Sequence, residues 1–327
     1  MNNKVVFGQY FDTNSWMHRL DPRTKIISLF LLMIGVFLIK NLYILILFFG
    51  FVLLLVLSTK IPLAKFLKSL RMMLFLLFFT TIFQVLFNKV GTKLASFSLT
   101  MTVLTLSISV ILLISYFIII KFIKKFKLLL LIAFMLMSLY LQSEVITTRV
   151  LFNYTIEVYS KGLITAGFVI VRIIALILIS SLLTLTTKPT DLNNGLESVL
   201  SPLEKIGLKT SILAMMISIA LRFIPTLINE ADRILKAQAS RGVDFKEGNI
   251  GQKVVQIISL LIPMFIVSFK RAEELANAME ARGYIPGEKR TKLYVLQFKT
   301  FDYLSLGFSI LFIIFGIISR GYFANTV

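Results

Sequence analysis

Long apolar stretches alternate with short polar segments along most of the 327-residue chain. Seven apolar runs lie at about 26–39, 42–57, 72–87, 100–120, 127–143, 163–186 and 303–319. A helix of about 20 apolar residues crosses the roughly 30 Å hydrocarbon core of a bilayer. The pattern therefore predicts a membrane protein with up to seven transmembrane helices, of which the first two are short and closely spaced.

The segment 187–302 has a different pattern. Its first part is broken into short helices by proline and glycine, at Pro189, Gly195, Pro202 and Gly207. Two longer helices are predicted at about 210–241 and 252–282, each about 45 Å long at 1.5 Å per residue. Pro225 and Pro263 lie inside these helices, where proline removes a backbone hydrogen bond and is expected to produce a kink.

Composition and charge support the same division. Hydrophobic residues make up 57% of the chain and charged residues 16%, which is far more apolar than a typical soluble domain. The segment 187–302 holds 12 of the 16 acidic and 16 of the 35 basic residues, so the remainder carries +15 of the net +19. We therefore predict an all-α polytopic membrane protein in three parts: a transmembrane region with about six spans at 1–186, cytoplasmic or interfacial helices at 187–302, and a transmembrane helix at 303–327.

Basic loops predict the orientation in the cell membrane. One set of alternate loops is rich in lysine and arginine: Arg19, Arg23, Lys25; Lys60, Lys65, Lys68, Arg71; and Lys121, Lys124, Lys125, Lys127. Such loops face the cytoplasm. Seven crossings would place the N-terminus and 187–302 in the cytoplasm and the C-terminus outside. On a membrane protein the excess positive charge indicates cytoplasmic loops rather than nucleic-acid binding. No cleavage motif follows the first apolar run, so we expect no removed signal peptide.

Most catalytic chemistry lacks candidate residues. The chain has no cysteine and a single histidine, His18, which excludes thiolate and histidine-based metal clusters. The stretch 283–291 resembles a phosphate-binding loop only superficially, because its spacing is wrong. Polar groups within the spans are sparse (Gln84, Asn88 and Arg172), and we expect Arg172 to snorkel or to pair inside the bundle. The sequence therefore predicts a protein that is not an enzyme, needs no cofactor or metal, and acts through its surfaces.

The two long helices end alike. The first closes Ala237-Gln238-Ala239-Ser240-Arg241-Gly242 and the second Ala278-Met279-Glu280-Ala281-Arg282-Gly283, with the arginines 41 positions apart. One Arg-Gly pair would be explained as a helix C-terminus, where glycine and a cation are both favoured. Two copies on two long helices indicate more: rigidly presented cations that fit a carboxylate-lined groove on a partner.

These motifs resemble the transmembrane T component of energy-coupling factor (ECF) transporters. The likeness rests on Arg-Leu-Asp-Pro-Arg-Thr-Lys (19–25), Thr-Thr-Lys-Pro (186–189), Ala-Leu-Arg-Phe-Ile-Pro (220–225) and the two Arg-Gly motifs, and it covers roughly 15–90 and 160–320. It implies an importer of vitamins or transition-metal ions, in which the T component joins two cytoplasmic ATP-binding cassette (ABC) ATPases to a small substrate-binding S component. By motif position, Arg241 and Arg282 would insert into grooves on the two ATPases, and the apolar faces of the long helices would cradle the S component.

Two departures and two alternatives accompany this resemblance. Ser240 stands where the family usually has alanine, and residues 92–160 are expected to form an additional hairpin. The main alternative is a membrane scaffold that docks another cytoplasmic partner through the same arginines. A conventional transporter with its own substrate site is disfavoured by the few polar groups in the spans.

Overall fold

The computed structural model describes residues 10–122, 127–144, 150–207, 209–243, 249–288 and 296–322. Within these ranges the chain is mainly helical. The elements are α1 (Pro22–Leu38), α2 (Leu42–Ser58), α3 (Leu63–Phe87), β1 (Lys93–Thr102), α4 (Val103–Phe122), α5 (Lys127–Glu144), β2 (Val150–Tyr159), α6 (Ser160–Thr186), α7 (Pro189–Leu200), α8 (Thr210–Ser240), α9 (Ile250–Ala281) and α10 (Thr300–Tyr322). Short 3-10 helices lie at Trp16–Arg19 and Ser201–Ile206.

The chain divides into two units. The first comprises Met1–Ser69 and Ala175–Val327, and the second comprises Leu70–Ile174. The first unit therefore contains α1, α2, α7, α8, α9 and α10, whereas the second contains α4, α5 and both strands. All the residues singled out at the ends of α8 and α9 belong to the first unit.

Helix starts in the first unit follow from local sequence. The Asp21 carboxylate accepts a hydrogen bond from the backbone N–H of Arg23 at 2.9 Å, and Pro22 occupies the first helical position. Asn41 caps α2 in the same way through the N–H of Tyr43 at 2.8 Å. Both residues satisfy a donor that the first helical turn would otherwise leave unpaired. Aspartate at the N-cap followed by proline is a sequence pattern that predicts such a helix start.

Helices α1, α2 and α10 pack through aromatic and small residues. The rings of Phe48 and Phe312 stack with their centroids 4.2 Å apart. A Cβ placed on Gly35 would lie 2.5 Å from the Phe312 ring, so only glycine lets α1 and α10 approach this closely. Val36 and Val52 are fully buried nearby in the core of the unit.

In the second unit, an antiparallel pair of strands carries a helical hairpin. β1 pairs with β2, and the helices α4 and α5 between them in sequence pack against each other, with a hydrogen bond between the hydroxyls of Ser109 and Ser138 at 2.9 Å. The Arg172 guanidinium lies 4.3 Å from the centre of the Phe168 ring, one turn earlier on α6. This contact accommodates the charge predicted within the span.

The membrane helices differ in part from the seven predicted runs. By length and composition, five described helices could cross a membrane: those at Val103–Ile120, Ser160–Thr186, Thr210–Ser240, Gly251–Ala281 and Thr300–Ser319, or six if the two halves of α3 form one span. Leu42–Ser58 and Ala133–Ser143 are apolar but shorter. By these criteria α8 and α9 could also cross a membrane, whereas the charge pattern predicts that they lie on the cytoplasmic side. The chain is an all-α polytopic membrane protein with one added strand pair.

The run at 100–120 is not wholly helical. Its first residues continue β1, and α4 begins at Val103. The strands were not predicted because Met101 and Leu104 extend an apolar run that also fits a helix. Lys124, Lys125 and Arg149, the stretch 289–291 and both chain termini lie outside the described residues.

Candidate coupling site

Helix α8 closes on a well-defined turn. The N–H of Gly242 donates to the carbonyl oxygen of Ala239 at 3.0 Å, and the N–H of Val243 donates to that of Gln238 at 3.1 Å. This pair of hydrogen bonds defines the Schellman motif, in which the residue after the C-cap is left-handed. Gly242 has φ +86°, a value that glycine adopts without steric cost.

Helix α9 ends in the same motif. The N–H groups of Gly283 and Tyr284 donate at 2.9 and 3.0 Å to the carbonyl oxygens of Glu280 and Met279. Gly283 has φ +68°. The repeated sequence therefore produces a repeated backbone structure.

Arg241 and Arg282 occupy the same position in the two motifs. Arg241 has φ −87° and ψ 7°, and Arg282 has φ −93° and ψ 11°. Both are exposed, as are Ala239, Ser240 and Ala281 beside them. Within the described residues, no carboxylate lies within 4.0 Å of either guanidinium. The guanidinium group of each arginine offers five N–H donors, and the Schellman motif fixes the backbone that carries it. This geometry is suited to bidentate recognition of a carboxylate.

Helices α8 and α9 pack against each other at the middle of their polar halves. The Arg271 guanidinium on α9 lies 3.8 Å from the Glu230 carboxylate on α8, and Arg233 lies 4.0 Å from the same carboxylate. The Arg271 side chain is 34% exposed and that of Glu230 is 24% exposed. A partly exposed pair of this kind contributes little stability but fixes which surfaces meet.

A groove of about 300 Å³ runs along this contact. It is lined by Ile219, Phe223 and Leu227 of α8 and by Ser268, Arg271, Ala272, Leu275, Ala276 and Met279 of α9. Ala272 and Ala276 are small, and small residues let two helix backbones approach closely. The walls of the groove are apolar except at Arg271 and Ser268.

The first halves of both helices expose a large apolar surface. On α9, Val255, Phe265 and Phe269 are each 66 or 67% exposed. Further exposed residues are Leu213 and Met216 on α8, and Val254, Ile257, Ile258, Leu261, Ile262 and Ile266 on α9. An apolar patch of this extent marks a contact with lipid or with another protein.

Helix α7 attaches α8 to the rest of the first unit. Asn193 is buried, and its amide nitrogen donates to the Ala214 carbonyl and to the Ser218 hydroxyl, both at 2.8 Å. On the other side of α7, a Cβ on Gly195 would lie 2.9 Å from Pro22 of α1. These contacts fix the first turns of α8 against α1 through α7.

A buried polar cluster lies beside this attachment. Lys25 is 3% exposed, and its ammonium donates to the carbonyl oxygens of Thr186 at 3.0 Å and His18 at 3.3 Å. Asp302 is fully buried and accepts the backbone N–H groups of Asp21 at 2.9 Å and Lys299 at 2.7 Å. The cluster joins the start of α1, the end of α6 and the start of α10.

Pro225 and Pro263 lie inside helices that continue through them. Each is therefore one continuous helix from its apolar part to its Arg-Gly end. The kinks predicted at these prolines stay a prediction.

The described residues contain no group of three or more His, Asp or Glu side chains placed to hold a metal ion. The arrangement offers surfaces and fixed charges. Its two exposed guanidinium groups suit carboxylates, and its exposed apolar face suits an apolar partner.

Several of these residues were not found from the sequence. Asn193 and Asp302 are single polar residues whose partners lie far away in the chain, so no local pattern reveals them. Lys25 was predicted to lie in a basic loop that faces the cytoplasm, but it lies in α1 and is 3% exposed, because its ammonium donates to the carbonyl oxygens of Thr186 and His18. Glu230 and Arg271 did carry a signal, since they occupy equivalent positions of the two-copy repeat.

Similarity to known proteins agrees with the resemblance drawn from the motifs. The family model CbiQ, described as "Cobalt transport protein", matches residues 92–293. The chain is 35% identical to the energy-coupling factor transporter transmembrane protein EcfT of Listeria innocua over 92% of this chain and 93% of the relative. For the proteins of the same name from Bacillus subtilis and Clostridium kluyveri the identities are 37% and 33%, over 89% and 98% of this chain and 89% and 98% of each relative. The chain therefore belongs to the family of energy-coupling factor transporter transmembrane proteins, which are non-catalytic, multi-pass membrane subunits.

Proposed function

We propose that this chain couples two cytoplasmic ABC ATPases to a small membrane-embedded S component, in an importer of vitamins or transition-metal ions across the cell membrane. The observation that carries the proposal is the pair of matching Schellman motifs that present Arg241 and Arg282 at the ends of α8 and α9. Two equivalent sites suit two ATPase subunits of similar structure.

Each arginine would dock into a groove on one ATPase. The carboxylates of such a groove would complete the charge-assisted hydrogen bonds that the exposed guanidinium groups offer. Ala239, Ser240 and Ala281 are small and exposed, so they let a groove wall approach the helix end closely. Gly242 and Gly283 fix the backbone conformation at the ends of α8 and α9.

The S component would lie on the apolar first halves of α8 and α9. Lipid tails could also cover this surface, but the last turns of the same helices are strongly charged. Lys270, Arg271, Glu273, Glu274 and Glu280 all fall between positions 270 and 281 of α9. Placing these charges in hydrocarbon would be costly, which favours helices that lie at the cytoplasmic interface over helices that cross the bilayer.

ATP-driven movement would pass along the helices. If the two ATPases move together or apart, Arg241 and Arg282 move with them, and the contact at Glu230 and Arg271 sets where the helices cross. The apolar halves on the other side of the crossing then change their relative position. By linkage, the ATPases can bias the orientation of the S component only by the difference in contact energy between the two states.

The proposed orientation places the N-terminus and 187–302 in the cytoplasm and the C-terminus outside. It rests on the basic loops and on the requirement that Arg241 and Arg282 face cytoplasmic ATPases.

Copurification tests this function and separates it from the scaffold alternative. The tagged chain is purified from its own membranes in mild detergent, and its partners are identified by mass spectrometry. We expect two ABC ATPase subunits and a small, substrate-binding membrane protein. A complex without ATPases, held instead to another cytoplasmic protein, would support the scaffold and refute the coupling role.

A further inference from the structure

The two strands of the second unit form a ribbon with two chemically different faces. Between the register shifts near each end, the pairing of β1 with β2 is regular. One face carries the pairs Ala95–Val158, Phe97–Ile156, Leu99–Tyr154 and Met101–Phe152. The other carries Ser96–Glu157, Ser98–Thr155 and Thr100–Asn153. Because side chains alternate along a strand, the ribbon is apolar on one side and rich in hydroxyl groups on the other.

Part of the apolar face is covered within the unit. Leu99 is 3% exposed, and the hydroxyl of Tyr154 donates to the side chain of Gln142 in the last turn of α5. On the hydroxyl face, the Thr100 side chain donates to the backbone carbonyl of the same Gln142 at 3.3 Å. Phe97 and Phe152 stay 56% and 54% exposed. A two-stranded ribbon is marginally stable alone, so a covering for these rings would support it.

The connections of the ribbon indicate what that covering is. α4 begins at Val103, directly after β1, and α6 begins at Ser160, directly after β2. Both helices are long and apolar enough to cross a membrane. Because the strands are antiparallel, the two helices start at opposite ends of a ribbon that is about 33 Å long for ten residues per strand. The alternation of basic loops predicts that α4 and α6 both start on the non-cytoplasmic side. A ribbon that joins two helix starts on the same side of the bilayer can lie along the membrane surface.

We propose that the β1–β2 ribbon lies flat on the bilayer, with its apolar face among the lipid headgroups and upper acyl chains and its hydroxyl face in water. Aromatic residues such as Phe97, Phe152 and Tyr154 are favoured at that depth. At the end of the ribbon next to α6, the Lys93 ammonium lies 2.5 Å from the Glu157 carboxylate, which also accepts from the Tyr159 hydroxyl at 2.7 Å. In this placement the paired charges of Lys93 and Glu157 lie among hydrated headgroups. The proposal requires that α4 and α6 cross the membrane. It does not depend on which surfaces contact the ATPases or the S component.

Spin labels on single cysteines test this placement, because the natural chain contains none. We choose two directly opposed pairs, Phe97→Cys and Ile156→Cys on the apolar face and Ser98→Cys and Thr155→Cys on the hydroxyl face. The two pairs are neighbours along the ribbon, so their labels differ mainly in the face on which they lie. A fifth label at Ile111→Cys, on the exposed surface of α4, reports the hydrocarbon core.

The full chain in its purified complex is reconstituted into phosphatidylcholine and phosphatidylglycerol vesicles. Collisions with oxygen, which partitions into lipid, are compared with collisions with a water-soluble nickel chelate. We expect the oxygen-to-nickel ratio at positions 97 and 156 to be several-fold higher than at 98 and 155, and to approach the ratio at 111.

Four outcomes would overturn the proposal. Equal ratios on both faces would mean that the ribbon stands in water or is wholly inserted. A higher ratio on the hydroxyl face would reverse its orientation. Exclusion of both reagents from positions 97 and 156 would mean that a protein covers the apolar face. A low ratio at position 111 with intact complex would show that α4 is not in the membrane, which removes the basis of the proposal.

Discussion

Glu230 and Arg271, whose charged groups lie 3.8 Å apart, occupy equivalent positions of the two long helices. Each stands 11 residues before the arginine of its own Arg-Gly end, and the two are 41 positions apart, the same offset as that between Arg241 and Arg282. The helices therefore meet at matching points of the repeat. At 1.5 Å per residue, each arginine lies about 16 Å along its helix from the crossing.

Opposite charges at this crossing should hold the two helices in register. We expect Arg271→Glu to lower ATP-driven uptake by the reconstituted complex several-fold, because two carboxylates then face each other. The combined Glu230→Arg and Arg271→Glu variant should recover most of the activity. Arg233→Gln is the control, since the Arg233 side chain is 81% exposed and reaches Glu230 within one helix, and it should have little effect. If the exchanged pair stays as impaired as the single variant, the charges do not set the crossing.

The glycines of the Schellman motifs should be sensitive to a methyl group. Gly242→Ala and Gly283→Ala force a side chain into the left-handed region, at a cost of about 1 kcal/mol each. We expect a lower melting temperature of the purified complex and weaker ATPase association. Gly251→Ala is the matched control, because Gly251 lies in α9 with open space around it, and there alanine should be neutral or slightly stabilising. Equal effects at all three positions would argue against a special role for the motifs.

Lys25 should be important for stability. Replacing it with methionine removes the donor of a buried hydrogen bond to the Thr186 carbonyl oxygen and of a part-buried one to that of His18. An unsatisfied buried polar group costs about 1–3 kcal/mol, so we expect Lys25→Met to lower the thermal stability in detergent clearly. Lys68→Met removes an exposed lysine and should change it little. Unaltered stability of Lys25→Met would show that this cluster does not hold α1 to α6.

His18 should make the stability depend on pH. Its Nε2 donates to the Phe11 carbonyl at 2.9 Å, which leaves Nδ1 to accept from the Ser15 hydroxyl at 2.6 Å in the neutral ring. Burial lowers the pKa of His18 below its ordinary value of 6.5, and the nearby Lys25 charge also lowers it, whereas the hydrogen bond to Phe11 and the Asp12 charge oppose this shift. The unfolded chain therefore binds a proton more readily. This contribution to stability is present above pH 6.5 and is lost as pH falls from 6.5 through the lowered pKa of the folded protein.

The measurement is the melting temperature of the purified protein from about pH 7.5 to about pH 5.5. The natural protein should lose more stability over this range than His18→Gln. Since His18 is the only histidine in the sequence, the difference between the two curves reports this residue alone. Parallel curves would contradict the prediction.

The features predicted from the sequence are those that depend on neighbouring residues. The start of α1 follows from Asp21-Pro22, and the ends of α8 and α9 lie at the residues before Arg241 and Arg282 because glycine follows each arginine. The predicted ends of the long helices differ from the observed ones by one or two residues.

The features that were missed depend on distant residues. The alternation of Ser96, Ser98 and Thr100 has the period of a strand, but it gains meaning only from its pairing with Glu157, Thr155 and Asn153 more than 50 residues later. The contact of Glu230 with Arg271 likewise requires two helices to cross at one particular point. Length and hydropathy alone do not distinguish a membrane-crossing helix from an interfacial one, so the predicted interfacial position of α8 and α9 rests on their charges.

The most direct test of the central claim is ATP-driven substrate uptake by proteoliposomes that contain the complex with both Arg241→Ala and Arg282→Ala. Arg233→Ala, which removes an arginine on α8 whose side chain is 81% exposed, serves as the control for loss of one charge. We expect the double variant to lose all or nearly all uptake, each single variant to be milder, and Arg233→Ala to transport normally. Full transport by the double variant would contradict the docking of the ATPases through these two helix ends.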